Sequence, residues 1–187
     1  MEMIIAEVAS FTLTTEEPST LDELLAAGKK VPPEATTLLM QDHAEVKAMF
    51  HQYGLETDEV AKAALANKIC LALTVHAQVE EELFYPAAGE ALEDDDLITE
   101  AVEEHGKMKD QIAKIVEGSA AGKAITRPLK TLMQTVEHHV EEEETEMFPD
   151  MRQTEIDLYD LGGRLAARRV DALLALRRQA VEADGQS

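Results

Sequence analysis

The chain repeats one stretch of itself. His76-Ala-Gln-Val-Glu80-Glu-Glu-Leu-Phe-Tyr-Pro86 returns as His139-Val-Glu-Glu-Glu143-Glu-Thr-Glu-Met-Phe-Pro149, with a His, a Glu four residues later and a Pro ten residues after the His. A further His precedes each copy at a matching distance: His43 lies 33 residues before His76, and His105 lies 34 before His139. Four residues is close to one helical turn, so each His-x-x-x-Glu pair shares one face of a helix. The repeat therefore describes two helix pairs, each bringing the set His, His, Glu. A fold that gathers four imidazoles and two carboxylates inside one helical bundle is the strongest constraint the sequence carries.

The surrounding periodicity supports such a bundle. Leu39, His43, Val46 and Phe50 form one stripe of a first helix expected from about Pro33 to Tyr53, ended by Gly54. Ile69, Leu73, His76, Glu80 and Leu83 line a second, from about Asp58 to Glu90, which Pro86 should kink or shorten. Ile98, Ala101, His105, Met108 and Ile112 line a third, from about Asp95 to Glu117, capped within Glu93-Asp-Asp-Asp96. Leu132, Val136, His139, Glu143 and Met147 line a fourth, which Thr126 should cap and which reaches about Met151. A fifth starts near Thr154 and runs to about Glu182, with Leu158, Leu161, Leu165 and Leu173 facing a partner. Gly162-Gly163 weakens this last helix or lets it pack closely.

Short connections make successive helices antiparallel neighbours. The expected fold is all-α: an up-down-up-down four-helix bundle with an extra C-terminal helix and an N-terminal arm. The organisation is 1–34, an arm with a short helix opened by the capping box Thr20-Leu-Asp-Glu23; 35–152, the bundle; and 153–187, the C-terminal helix and tail.

Composition narrows the function. The net charge of −21 argues against nucleic acid and anionic membrane surfaces, both of which require clustered basic residues, and it suits attraction of cations. The basic residues of the fifth helix, Arg164, Arg168, Arg169, Arg177 and Arg178, are the exception and offer a surface for a protein partner or a second copy of the chain. A single cysteine, Cys70, excludes an intrachain disulfide and a Cys-rich metal site, and reads as a small buried hydrophobe. The start lacks the pattern of a secretory signal and no run of about 18 apolar residues occurs, so a cytoplasmic location is expected.

The residues that carry chemistry are His43, His76, Glu80, His105, His139 and Glu143. A neutral imidazole within an apolar stripe needs partners for both ring nitrogens, and a metal supplies one of them. Six ligands exceed one tetrahedral zinc. They divide as two His per metal with Glu80 and Glu143 bridging, which fits a carboxylate-bridged di-iron centre better than manganese or zinc. The neighbouring acids Glu81, Glu82, Glu141, Glu142 and Glu144 are expected to be mostly solvated, with Glu142 and Glu146 as spare ligands. His138 points away from His139 and is assigned to the surface, and His51 lies two turns beyond His43 near the bundle end. Tyr53 and Tyr85 could hydrogen-bond near the site, with core packing the simpler reading, and the methionines Met40, Met49, Met108, Met133 and Met147 are read as core.

These motifs resemble the hemerythrin-like, or HHE cation-binding, family. The resemblance covers about residues 35–152: Asp42-His43, His76-x-x-x-Glu80 with Phe84-Tyr85-Pro86, Glu104-His105, and His139-x-x-x-Glu143 with Phe148-Pro149. It implies a four-helix bundle around two iron ions with oxo or hydroxo and carboxylate bridges, and a small oxidant, dioxygen, hydrogen peroxide or nitric oxide, as partner. Oxygen-carrying members have a fifth His four residues after the third-helix His, and here that position is Lys109. Their last helix uses a His-x-x-x-x-Asp spacing, which this chain replaces by His-x-x-x-Glu. Reactivity toward an oxidant, catalase-like peroxide disproportionation among the options, is therefore expected ahead of reversible oxygen carriage. A sensing protein that binds iron or oxygen and acts through a partner is the alternative. No catalytic residue is assigned from the sequence.

Overall fold

A computed structural model describes residues 32–184, and among them every regular element is helical. The expected arm and the capping box at Thr20 lie outside the described residues. Helix α1 is Ala35–Leu55, α2 is Glu59–Leu92, α3 is Asp95–Ala120, α4 spans residues 126–151, and α5 is Leu158–Asp184. Helix α1 packs on α2, α3 on α4, and α2 on α3, so the first four form a bundle. Helix α5 lies outside it, against α1 and α2.

Four of the five helix starts carry a side-chain cap. Glu34 opens α1: its carboxylate accepts from the backbone N–H groups of Thr36 and Thr37, both at 2.9 Å. Asp58 caps α2 through Val60 and Ala61, and Asp94 caps α3 through Leu97. One expected cap is absent. Thr126 is already inside α4, which follows Ile125 without a side-chain cap. Helix α5 starts at Leu158, four residues beyond Thr154, because Asp157 takes the cap by accepting from the backbone of Tyr159 and Asp160. Gly54 does not end α1, which continues to Leu55.

The largest departure concerns Pro86. It neither kinks α2 to a stop nor shortens it. The helix widens into a π turn over Glu80–Phe84 and then continues as α-helix to Leu92. Pro86 thus enters the first turn of the continuing segment, where its missing N–H leaves no bond unmade. The repeat does the same: α4 has a π turn over Glu143–Met147, followed by Pro149 in the closing turn. An extra residue in the turn shifts the inward register by one position. Leu83, expected to face inward, is only partly buried, while Phe84 and Tyr85 are buried fully.

The core falls into two apolar clusters. One is built from Val46, Phe50, Ile69, Leu73, Met108, Ile112, Leu132 and Val136. The other holds Leu39, Val79, Phe84, Tyr85, Met147, Phe148, Leu161 and Leu165. Each fully buried Leu or Phe contributes about 1.5–3 kcal/mol by leaving water. The six His and Glu residues named from the repeat lie where these clusters meet. Helix α2 is long and apolar enough to cross a bilayer, with mean hydropathy 1.2 over its best window, yet half of that window is buried in these clusters. Met40, expected in the core, is 36% exposed.

Helix α5 docks through small residues and ion pairs. A Cβ on Gly162 would come within 2.2 Å of the Pro33 carbonyl oxygen, so only glycine permits this approach to the start of α1. Arg168 forms two hydrogen bonds with the Glu82 carboxylate, and Arg169 is hydrogen-bonded to Asp42. Two of the five arginines expected to face an external partner are therefore used within the chain.

Candidate metal centre

All six residues named from the repeat are buried, with none more than 5% exposed. They form two groups joined by two carboxylates. In the first, His43 Nε2 lies 3.1 Å from His76 Nε2 and 3.3 Å from Glu143 Oε2, and His76 Nε2 lies 3.0 Å from Glu80 Oε2. In the second, His105 Nε2 lies 3.2 Å from His139 Nε2 and 3.4 Å from Glu80 Oε2, and His139 Nε2 lies 3.5 Å from Glu143 Oε2. Glu80 and Glu143 each reach both pairs of imidazoles.

These spacings suit cations. Two ligand atoms about 2.1 Å from one ion sit about 3.0 Å apart at a right angle and about 3.4 Å apart at the tetrahedral angle. Both Glu80 oxygens and Glu143 Oε2 are buried without a hydrogen-bond partner. A buried carboxylate in that state is costly unless an ion completes it. The donor set, imidazole with carboxylate and no thiolate, matches iron, manganese or zinc.

A ring of outer carboxylates fixes the imidazoles. His43 Nδ1 lies 3.0 Å from Glu144, His105 Nδ1 2.9 Å from Glu81, and His139 Nδ1 3.0 Å from Glu104. His76 Nδ1 lies 3.7 Å from Asp42, beyond a hydrogen bond. A carboxylate on Nδ1 holds the proton there and leaves the Nε2 lone pair for a metal. The arrangement is twofold: Glu81 and Glu144 follow Glu80 and Glu143, and Asp42 and Glu104 precede His43 and His105. Lysines complete it, with Lys109 Nζ 2.6 Å from Glu81 and Lys47 Nζ 3.8 Å from Glu144. Lys109, at the position of the oxygen carriers' fifth His, holds a carboxylate instead of a metal.

Sequence reasoning placed Glu81 and Glu144 among solvated acids, and the structure corrects that. Of the spare ligands it named, Glu146 is exposed and Glu142 faces His138 at 3.5 Å. His138 is exposed as expected, and His51 is exposed at the surface. The signal for the outer ring was available: each of its members adjoins a site residue in both copies of the repeat.

Tyr85 breaks the symmetry. Its hydroxyl donates to Glu143 Oε1 at 2.9 Å and lies 3.2 Å from His105 Nε2. Its counterpart in the second copy is Phe148, stacked on His43 at 5.8 Å between ring centroids. Of the two roles the sequence allows Tyr85, core packing and a hydrogen bond near the site, the structure gives it both. Beside the site, a cavity of about 10 Å³ is lined by Val46, Leu73, Met108, Val136, Val140, Asp42 and three of the four histidines.

The imidazoles and carboxylates of the cluster shift one another's pKa values. Burial disfavours a charged His76, but Glu80 and Asp42 outweigh it and raise its pKa well above the ordinary value. Burial would likewise raise Glu80, yet His76 and His105 hold it well below the carboxylate range. Burial and the Glu143 and Glu80 charges push the Tyr85 phenol well above its usual value. The remote Cys70 thiol is pushed up to about 12 by burial, consistent with an inert core residue.

Comparison with known proteins gives the same reading. Residues 34–155 match the family model described as the hemerythrin HHE cation binding domain. The uncharacterized protein Rv2633c of Mycobacterium tuberculosis and the uncharacterized protein Mb2666c of Mycobacterium bovis are each 25% identical over 138 residues, covering 72% of this chain and 84% of theirs. No solved structure matches. With its doubled His and Glu groups buried in a helical bundle and the family match covering most of its length, the chain belongs to the hemerythrin HHE cation-binding domain family.

Proposed function

We propose that the chain is a non-haem di-iron protein of up-down-up-down bundle topology that reacts with a small oxidant, hydrogen peroxide foremost. The observation that carries this reading is the pairing of two bis-imidazole groups through Glu80 and Glu143 beside a small cavity. On this reading His43 and His76 would hold one ion and His105 and His139 the other, with Glu80 and Glu143 within reach of both. Two iron ions held there would supply the two-electron capacity needed for one peroxide to be reduced to water while a second is oxidised to dioxygen.

The chain's own groups set the conditions for that chemistry. Glu81, Glu104 and Glu144 keep a proton on Nδ1 of their histidines and fix the ring planes. Val46, Leu73, Met108, Val136 and Val140 keep bulk water from the site, and the cavity, about the size of one water, admits only a molecule of a few atoms. Tyr85 Oη keeps its proton on Glu143 Oε1 and restrains that carboxylate on the side of His105. A location in a reducing compartment accords with the single buried thiol.

The test is oxygen evolution from peroxide by the iron-loaded protein, set against His76→Ala and against free iron. Evolution well above both controls supports turnover. An optical change on adding peroxide, oxygen or nitric oxide, with no turnover, favours the alternative in which occupancy is sensed and read by a partner.

A further inference from the structure

The two halves of the centre differ in how their outer carboxylates are neutralised. Asp42 and Glu104 are equivalent, each preceding a site histidine and each facing Nδ1 of the other histidine in its half. The second oxygen of Asp42 is held by the fixed cation Arg169, brought in by α5. No described helix brings an arginine to Glu104. Its side chain is 3% exposed, and Oε1 makes no hydrogen bond among the described residues.

What faces Glu104 Oε1 is a pair of residues with no counterpart in the other half. His138 Nε2 lies 3.6 Å away, and Glu142 Oε1 lies 3.5 Å from that same nitrogen. The equivalent positions in the first copy are Val75 and Val79, both buried and apolar. The three ligand atoms lie within 4.8 Å of one another, with one nitrogen and two carboxylate oxygens drawn from α3 and α4. His138 is 61% exposed, so the group opens to solvent.

We propose that Glu104, His138 and Glu142 form a second, mononuclear site for a divalent transition-metal ion at the bundle surface, joined to the buried pair through Glu104. One imidazole and two carboxylates, with water completing the shell, suit Zn²⁺, Mn²⁺ or Fe²⁺. The ion occupies the place in this half that the Arg169 guanidinium occupies in the other. Glu104 then binds the outer ion through Oε1 and the His139 Nδ1 proton through Oε2. Charge drawn toward the outer ion weakens that hydrogen bond and lowers the basicity of His139 toward the inner ion.

The test titrates Zn²⁺ into protein that retains its inner ions, with heat and total metal content as readouts. Wild type takes up one further ion per chain, His138→Ala takes up none, and Glu142→Gln binds at least tenfold more weakly. His51→Ala, which alters an exposed histidine elsewhere, matches wild type. Unchanged inner metal content in His138→Ala shows that the bundle is intact. Equal Zn²⁺ uptake by wild type and His138→Ala, or no uptake by either, overturns the site. A second arm follows the optical spectrum of the inner centre and rests on the di-iron reading, whereas the stoichiometric arm needs only that the inner site hold metal of any kind. The spectrum shifts on adding Zn²⁺ to wild type and not to His138→Ala, and uptake without a shift overturns the coupling through Glu104.

Discussion

Glu81 accepts a hydrogen bond from Nδ1 of His105 at 2.9 Å while Lys109 grips its carboxylate from the other side. Lys109 and the burial of His105 hold Glu81 in place, and its pKa is lowered because the bonds from His105 and Lys109 outweigh the effect of burial. Glu81→Gln removes the charge that orients His105. Such outer-ligand substitutions cost about 10–100-fold in metal affinity. Competition against a chelator should show that loss for Glu81→Gln and for its counterpart Glu144→Gln, and no change for the exposed Glu141→Gln. Equal affinities across all three would remove the outer ring from the account.

His43 and His76 contact one group of the centre only, whereas Glu80 reaches both. On the proposed di-iron reading, His43→Ala should therefore lower retained iron from two ions toward one per chain, while Glu80→Ala should deplete both positions. Metal analysis after gel filtration distinguishes the two patterns. Retention of both ions by Glu80→Ala would mean that the glutamate does not bridge.

The site could be read from the sequence because its signal is periodic. A His and a Glu one turn apart, repeated at fixed offsets, survive any error in helix boundaries. The outer ring was harder to read. Glu81 and Glu144 sit one residue past Glu80 and Glu143, about 100° around an ideal helix, which turns them toward solvent. The π turns beginning at Glu80 and Glu143 change that register, and no residue type in the sequence marks a π turn. The same shift moved the inward position from Leu83 to Phe84 and Tyr85. Fold-level contacts of α5 were legible only in part. Gly162-Gly163 reads in sequence as a weak point or a close-packing pair, and neither which glycine packs nor its long-range neighbour Pro33 shows in any local pattern.

Tyr85 occupies the place that Phe148 fills in the other half, so Phe fits there sterically. Tyr85→Phe should fold and keep its metal content. It leaves Glu143 Oε1 without its hydrogen-bond donor, and a bond to a charged group contributes about 1.5–3 kcal/mol. Thermal melting should show a Tm lower by several degrees, since about 2–4 °C accompany each kcal/mol in a chain of this size. The optical spectrum should also change on the side of His105. An unaltered spectrum and Tm would separate Tyr85 from the centre.

Glu34 joins the start of α1 to solution pH. Burial alone would raise its pKa, but hydrogen bonds from Thr37 and Thr36 outweigh it and lower the folded value below 4.5. The folded pKa is depressed, so the stabilisation is fully present above the unfolded pKa and is lost as pH falls through the folded value. Glu34→Ala should cost about 0.5–2 kcal/mol at neutral pH, as loss of a helix cap does. Melting curves of the two proteins should converge as pH falls through and below the ordinary carboxylate range. The two proteins differ only at residue 34, so the difference isolates Glu34. A gap that persists unchanged at low pH would contradict the cap.

Gly162 and Gly163 are neighbours on one helix with opposite prospects. Alanine is favoured over glycine in a helix interior by about 1 kcal/mol, so either substitution would stabilise an isolated α5. At Gly163 the nearest atom to an added Cβ is 4.0 Å away, and Gly163→Ala should raise Tm by a few degrees. At Gly162 the added carbon would meet the Pro33 carbonyl oxygen at 2.2 Å and the Ala35 nitrogen at 2.9 Å. Both are backbone atoms that cannot swing aside, so Gly162→Ala should lower Tm by forcing α5 off α1, at a cost of about 1–3 kcal/mol. Displacing α5 also draws Arg169 from Asp42 and Arg168 from Glu82, so protease cleavage in the connection at residues 152–157 should speed up in Gly162→Ala and slow down in Gly163→Ala. Matching shifts in both variants would mean that α5 does not rest on the start of α1 in solution.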